Sequence, residues 1–299
     1  MDFFARQVVE GFITGRHRSP FHGFSVEFSE HRQYNAGEST HDIDWKLYGR
    51  TDKLFVKRFE EETNLRCMLL IDHSSSMLFP AERQGDLKQP NKLTFSIYAA
   101  AILTELLSRQ RDAFGLTLFS DHIDLQTPIR SNSAHRHYVM QLLESELHQP
   151  PVDKRTLRNT SIANTLHLIA ENLHRRSLVV IFSDALVRSE EREPLMDALR
   201  HLRHCKHEVI FFHTYETPQE VDFNFVNQPT EFIDLESGER LKVMPNELKD
   251  SYQSAMRQQI DTVKQHAIQY HIDYEPIAVE KGFDNVIQPF LMKRSKHLC

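Results

Sequence analysis

Two apolar runs each end in an aspartate, and hydroxyl residues gather around both. Cys67-Met-Leu-Leu-Ile71 leads into Asp72, which opens Asp72-His73-Ser74-Ser75-Ser76, an Asp-x-Ser-x-Ser pattern. Leu178-Val-Val-Ile-Phe182 leads into Ser183-Asp184, and Thr160, followed by Ser161, stands in the loop opening the helical segment before that run. Two carboxylates and three hydroxyls (Asp72, Asp184, Ser74, Ser76, Thr160) form a hard, weakly charged oxygen set, which suits Mg²⁺ or Mn²⁺. Hydroxyls neutralise none of the ion's charge, so such a site keeps an electrophilic position open to a carboxylate from a partner. Asp-x-Ser-x-Ser alone is a weak pattern. Its weight comes from its place directly after an apolar strand and from the second strand-end aspartate. Asp72 and the serines could instead cap the next helix, but that reading leaves Asp184 and Thr160 without a role.

The elements that must position these residues alternate in type. Fully apolar strands are expected at 67–71 and 178–182, with further strands at 113–119 and 123–129 joined by a turn at Ser120-Asp121-His122, one at 208–215 and a last one at 271–277. Helical periodicity covers 92–108, 133–147, 160–173, 189–202, 247–270 and 285–294, and 232–243 reads as a hairpin turning at Ser237-Gly238. The segment Ile97–Leu103 is apolar almost all round, so its helix is expected to be buried. Apolar strands separated by helices give an α/β fold: a doubly wound, mostly parallel sheet with helices on both faces. In such a sheet ligands bind beyond the carboxyl ends of the strands, where Asp72 and Asp184 fall. Residues 1–62, with strand-like pieces at 24–28 and 54–59, are expected to form an extension packed on the main domain, 63–299.

The 299 residues are 40% hydrophobic with a net charge of −6. That is enough apolar material for a real core, and no basic stripe marks a nucleic-acid binder. The three cysteines cannot form a disulfide framework and fit a reducing compartment. Neither a signal-peptide run nor an apolar stretch of about 20 residues is present; the expected location is the cytoplasm.

Other constellations are weaker. His201, His204, Cys205 and His207 sit at the end of a charged helix with no matching second pair, which reads as a solvated helix end rather than a zinc site. Asp44, Trp45 and Arg50 read either as an interaction surface or as a buried tryptophan beside an Asp–Arg pair. The alternative function is a Mg²⁺-dependent phosphohydrolase. An Asp-x-Asp nucleophile and acid would be needed after the first strand, where the second position is Ser74, and no phosphate loop, dinucleotide fingerprint or nucleophile elbow is present. The residues therefore favour binding over catalysis.

Asp72, Ser74, Ser76, Thr160 and Asp184 resemble the metal-ion-dependent adhesion site of von Willebrand factor A domains. The resemblance implies that these five coordinate one Mg²⁺. The chain departs from the usual pattern at Arg158-Asn159, where glycines commonly precede the threonine, and at Ala185, where a glycine commonly follows the aspartate. Gly15-Arg-His17-Arg-Ser19, Gly23-Phe-Ser-Val-Glu27-Phe28, Arg32-Gln-Tyr34, Gly37-Glu38, Ile43-Asp44-Trp45 and Leu54 resemble the bacterial family labelled domain of unknown function 58. That resemblance implies a von Willebrand A-like, non-enzymatic protein working with a MoxR-type AAA+ ATPase in protein maturation or remodelling.

Overall fold

The computed structural model describes residues 1–14, 25–34, 43–62, 65–148, 162–174, 176–235 and 238–297. Residues Met1–Pro20 and Arg66–Cys299 form one compact unit, and Phe21–Leu65 a second.

The larger unit is built on a six-stranded sheet. In chain order its strands are β3 (Arg66–Asp72), β4 (Ala113–Phe119), β5 (Ile123–Gln126), β6 (Leu178–Ser183), β7 (Glu208–Tyr215) and β10 (Asp273–Ala278). Across the sheet they run β10-β7-β6-β3-β4-β5, all parallel except the edge strand β5. The chain leaves β3 for β4 on one side and later returns to β6 on the other. The strand order therefore switches between β3 and β6, where open α/β sheets bind ligands. β5 stops at Gln126, short of the expected 129, because Pro128 has no N–H to continue the ladder.

Strand alternation divides the apolar side chains between two helical layers. Met68, Leu70, Val179, Ile181, Val209 and Phe211 are buried in one cluster with residues of α5 (Ile162–Asn172), α6 (Arg192–His204) and α7 (Pro245–Gln269). The opposite face carries α3 (Lys92–Arg109) and α8 (Phe283–His297): Phe212 meets Phe290 edge-on at 4.8 Å, and Phe95 stacks on Phe283 at 4.7 Å. α3 is itself covered from outside. α1 (Asp2–Thr14) sets Phe4 edge-on to Tyr98 at 5.3 Å, and α4 (Ser133–Leu147) sends Arg136 to Asp2 and Glu105. This explains why α3 is buried from Lys92 to Leu107 and shows no polar face in the sequence. β8 (Thr230–Ile233) pairs antiparallel with β9 (Arg240–Val243); Thr160, Ser161 and Ser237, the last expected at the hairpin turn, lie outside the described residues.

The smaller unit pairs β1 (Ser25–Gln33) with β2 (Phe55–Glu62) antiparallel, with an irregularity between Phe28 and Glu30. Its helix α2 (Trp45–Thr51) starts where the Asp44 carboxylate accepts from the N–H groups of Lys46 and Leu47, both at 3.0 Å.

Candidate metal centre

β3 and β6 lie side by side and end level, so Asp72 and Asp184 leave the sheet at the same edge. Both are buried, at 0% and 2% exposure, and Ser74 and Ser76 are nearly so. The Asp72 carboxylate accepts from Ser74 N–H at 2.9 Å and from the Ser183 hydroxyl at 2.5 Å. The Ser74 and Ser76 hydroxyls are 3.1 Å apart, and the Ser76 hydroxyl helps to hold Asp184 ionised. A continuous polar chain thus runs Ser183–Asp72–Ser74–Ser76–Asp184 across the switch point. Four of the five residues expected to hold a metal are brought together; the fifth, Thr160, is not described.

These residues do not cap the following helix. Ser74 makes no side-chain cap bond to the short turn Ser75–Leu78, and α3 is capped by Asn91, whose side chain accepts from Thr94 N–H at 2.8 Å.

The like charges explain the electrostatics. Burial and the neighbouring Asp184 carboxylate push the Asp72 pKa up to about 6, against the donors Ser183 and Ser74. Asp184 has the opposite shift: burial opposes ionisation, but the Lys92 ammonium overrides it and lowers the pKa. Lys92, at the start of α3, is fully buried and donates to Asp184 at 2.7 Å and to Glu220 at 2.6 Å. Burial alone would discharge it, and the two carboxylates instead hold it protonated. A cation in the first turn of a helix opposes the macrodipole, so Lys92 depends on these acids. Glu220 belongs to a single helical turn, Thr217–Val221, which is tied back by Glu216 N–H donating to Glu220 at 2.9 Å.

The backbone around Asp184 is also constrained. Its carboxylate accepts from Leu186 N–H at 3.0 Å, and its carbonyl accepts from His213 Nε2 at 2.8 Å. His213 Nδ1 then faces the Tyr274 hydroxyl at 2.7 Å, and burial drops the His213 pKa to about 4, so the ring stays neutral. Ala185 takes a left-handed φ of 49°. That conformation favours glycine and costs another residue about 1–2 kcal/mol, which accounts physically for the glycine expected at this place.

The donors present are oxygens of two carboxylates and two hydroxyls. Among the described residues no three His, Cys, Asp or Glu side chains gather as a ligand set. The set fits a hard ion that keeps waters, with one restriction: Lys92 already occupies one oxygen of Asp184.

Lys92, Glu220, Ser183 and His213 were not singled out from the sequence. Of the weaker constellations, Trp45 is not buried: it is 60% exposed, edge-on to Tyr48 at 6.2 Å, and Asp44 is a helix cap. His207 is fully buried and faces Ser177 N–H at 3.3 Å.

A family model described as "Protein of unknown function DUF58" matches residues 30–262. The chain belongs to the DUF58 family. Uncharacterized proteins of Mycobacterium bovis and Mycobacterium tuberculosis are each 24% identical to it over 238 residues, covering 80% of this chain and 69% of theirs. Among solved structures, BatB from Bacteroides thetaiotaomicron is similar at 16% identity and a TM-score of 0.48, over 79% of this chain and 98% of that one. An aerotolerance-related membrane protein from Bacteroides fragilis is similar at 18% identity and a TM-score of 0.49, over 78% and 100%. No helix among the described residues of this DUF58 chain is long and apolar enough to cross a membrane.

Two outcomes follow from the buried charges. Lys92→Met keeps most of the volume but leaves Asp184 and Glu220 facing each other, so stability in urea should fall by about 3–5 kcal/mol, part of it recovered by adding Glu220→Gln. A Lys92→Met loss below about 1 kcal/mol would show that the ammonium is not what holds the acids. Asp72 gives a pH signature. With its pKa raised from 3.8 to about 6, the folded chain holds a proton that the unfolded chain has released between those values. Its contribution is then present at the acid end and lost as pH rises through the window. In chelator, Asp72→Asn should therefore be more stable than the parent at pH 7, with the difference shrinking towards pH 4. A variant less stable than the parent at pH 7 would contradict the shift.

Proposed function

We propose that this chain is a metal-dependent protein-binding module of the von Willebrand factor A kind. Asp72, Ser74, Ser76 and Asp184 hold Mg²⁺ or Mn²⁺, and Thr160 completes the set. The observation that carries this reading is the meeting of four oxygen-bearing side chains at the sheet's switch point, with Asp72 pressed by a like charge that a divalent ion would relieve. When bound, the ion supplies an electrophilic position for a partner's carboxylate. The chain's own residues do the rest. Ser74 and Ser76 orient without adding charge, Ser183 fixes the Asp72 carboxylate, and Lys92 keeps Asp184 ionised and in place.

Binding is favoured over phosphoryl transfer because Ser74 stands where a second acidic group would protonate a leaving group. His213, the titratable ring nearest Asp184, is buried, neutral and committed to a backbone carbonyl. The resemblance of the sequence blocks to their family supports a MoxR-type AAA+ ATPase as partner, in protein maturation or remodelling in the cytoplasm.

Calorimetric titration should show Mg²⁺ or Mn²⁺ binding that is abolished by Asp72→Ala and weakened by Thr160→Ala. Co-purification with the cognate ATPase should fall at least about tenfold, or about 1.4 kcal/mol, with EDTA or Asp72→Ala. Unchanged metal binding in Asp72→Ala would overturn the metal assignment. An association indifferent to both treatments would overturn the metal-bridged interface and move it to the exposed Trp45 helix.

A further inference from the structure

A second constellation lies away from the switch point, between α5 and α6. His167 of α5 and His201 of α6 approach ring to ring, their Nδ1 atoms 2.9 Å apart and both rings half-buried. His201 shares one face of α6 with Asp197 and His204, at i−4 and i+3. All four line an open cleft of about 860 Å³, as does His271. The sequence places His201 and His204 together but gives no sign of His167, whose approach depends on how α5 packs against α6.

A hydrogen bond between two neutral imidazoles accounts for the distance, but several features go beyond it. The two nitrogens face each other from rigid helices at the wall of a solvent-open cleft, and further ligand types stand on both sides. The competing charges nearby are already engaged. Arg200 pairs with Asp197 at 2.8 Å on the surface, an exposed contact worth little. Arg203 donates to the carbonyls of His207 at 2.7 Å and Tyr270 at 3.3 Å.

We propose that His167 and His201 form a two-histidine site for a divalent transition ion of tetragonal preference, Cu²⁺ or Ni²⁺. Imidazole nitrogens bind such ions readily, and square-planar or tetragonal geometry is the mark of these two. Two nitrogens each about 2.0–2.1 Å from one ion are about 2.9 Å apart at a right angle and about 3.3–3.4 Å apart at the tetrahedral angle. The observed separation matches the right angle. On binding, the ring that carries its proton on Nδ1 moves it to Nε2 by exchange with water, so both remain neutral ligands and no net proton is released. Water fills the other positions, with Asp197 and His204 one helical turn away on either side of His201. With two protein nitrogens and water in the remaining positions, the site is exchangeable rather than structural.

The test is calorimetric titration of the full chain with Ni²⁺ after chelator treatment, repeated for His167→Gln, His201→Gln and Asp72→Ala. The wild type should show this site at one-to-one stoichiometry, resolved from any Ni²⁺ taken up at the switch point and from weak binding by the remaining histidines. Each glutamine variant should lose it, by at least about tenfold in affinity, while far-ultraviolet circular dichroism stays unchanged. Asp72→Ala should keep it, which separates this site from the one proposed at the switch point. No one-to-one site in the wild type, its survival in either glutamine variant, or its loss in Asp72→Ala would overturn the proposal.

Discussion

Two carboxylates buried side by side at the end of a parallel sheet repel each other in a medium that screens them poorly. The architecture of the larger unit depends on how that repulsion is met. β3 and β6 are neighbours at the switch point, β3 ends at Asp72 and Asp184 directly follows β6, so the topology brings the two aspartates to one edge. Lys92 answers the charge of Asp184, and Glu220 shares the ammonium. Lys92 can do this only from a helix start buried against the sheet, and α3 stays buried from there to Leu107. α1 and α4 supply the outer cover. The electrostatic requirement at the rim thus accounts for a helix that begins with a buried lysine.

Among the described residues Asp72 has no comparable partner. Its donors are the Ser183 hydroxyl and the Ser74 N–H and hydroxyl, all neutral. The rim is therefore asymmetric: one carboxylate permanently compensated, the other left with raised proton affinity. A group held in that state lowers stability at neutral pH and so suggests a site kept for binding rather than for folding. The left-handed Ala185 beside Asp184 points the same way, since strain of this kind is retained where the surroundings fix the backbone for another purpose.

Much of this was legible in the sequence, for identifiable reasons. The apolar runs ending at Asp72 and Asp184 are buried on both faces, so they stand out as unbroken strands. α4 and β7 match their expected limits, because their patterns are bounded by strong turn signals. The gathering of Asp72, Ser74, Ser76 and Asp184 follows from strand ends in a doubly wound sheet. What was hidden depends on contacts distant in the chain. Lys92 reads as an ordinary polar residue at a helix start, and its two acids lie 92 and 128 positions away. α1 carries no mark of covering α3, because its partners Tyr98, Phe283 and Arg136 are scattered through the sequence. His167 lies on a different helix from His201, and no spacing rule links them. Trp45 is exposed for a local reason: Asp44 caps a short helix with no buried residue.

The central claim is that the oxygens at the β3–β6 switch point hold a divalent ion. Crystals of the protein grown with Mn²⁺ and measured at a wavelength where manganese scatters anomalously test it directly. The account predicts one anomalous peak bonded to the Asp72 and Asp184 carboxylates and the Ser74, Ser76 and Thr160 hydroxyls, at about 2.0–2.3 Å, with Lys92 still on one oxygen of Asp184. Ordered crystals with no peak at those oxygens would contradict it.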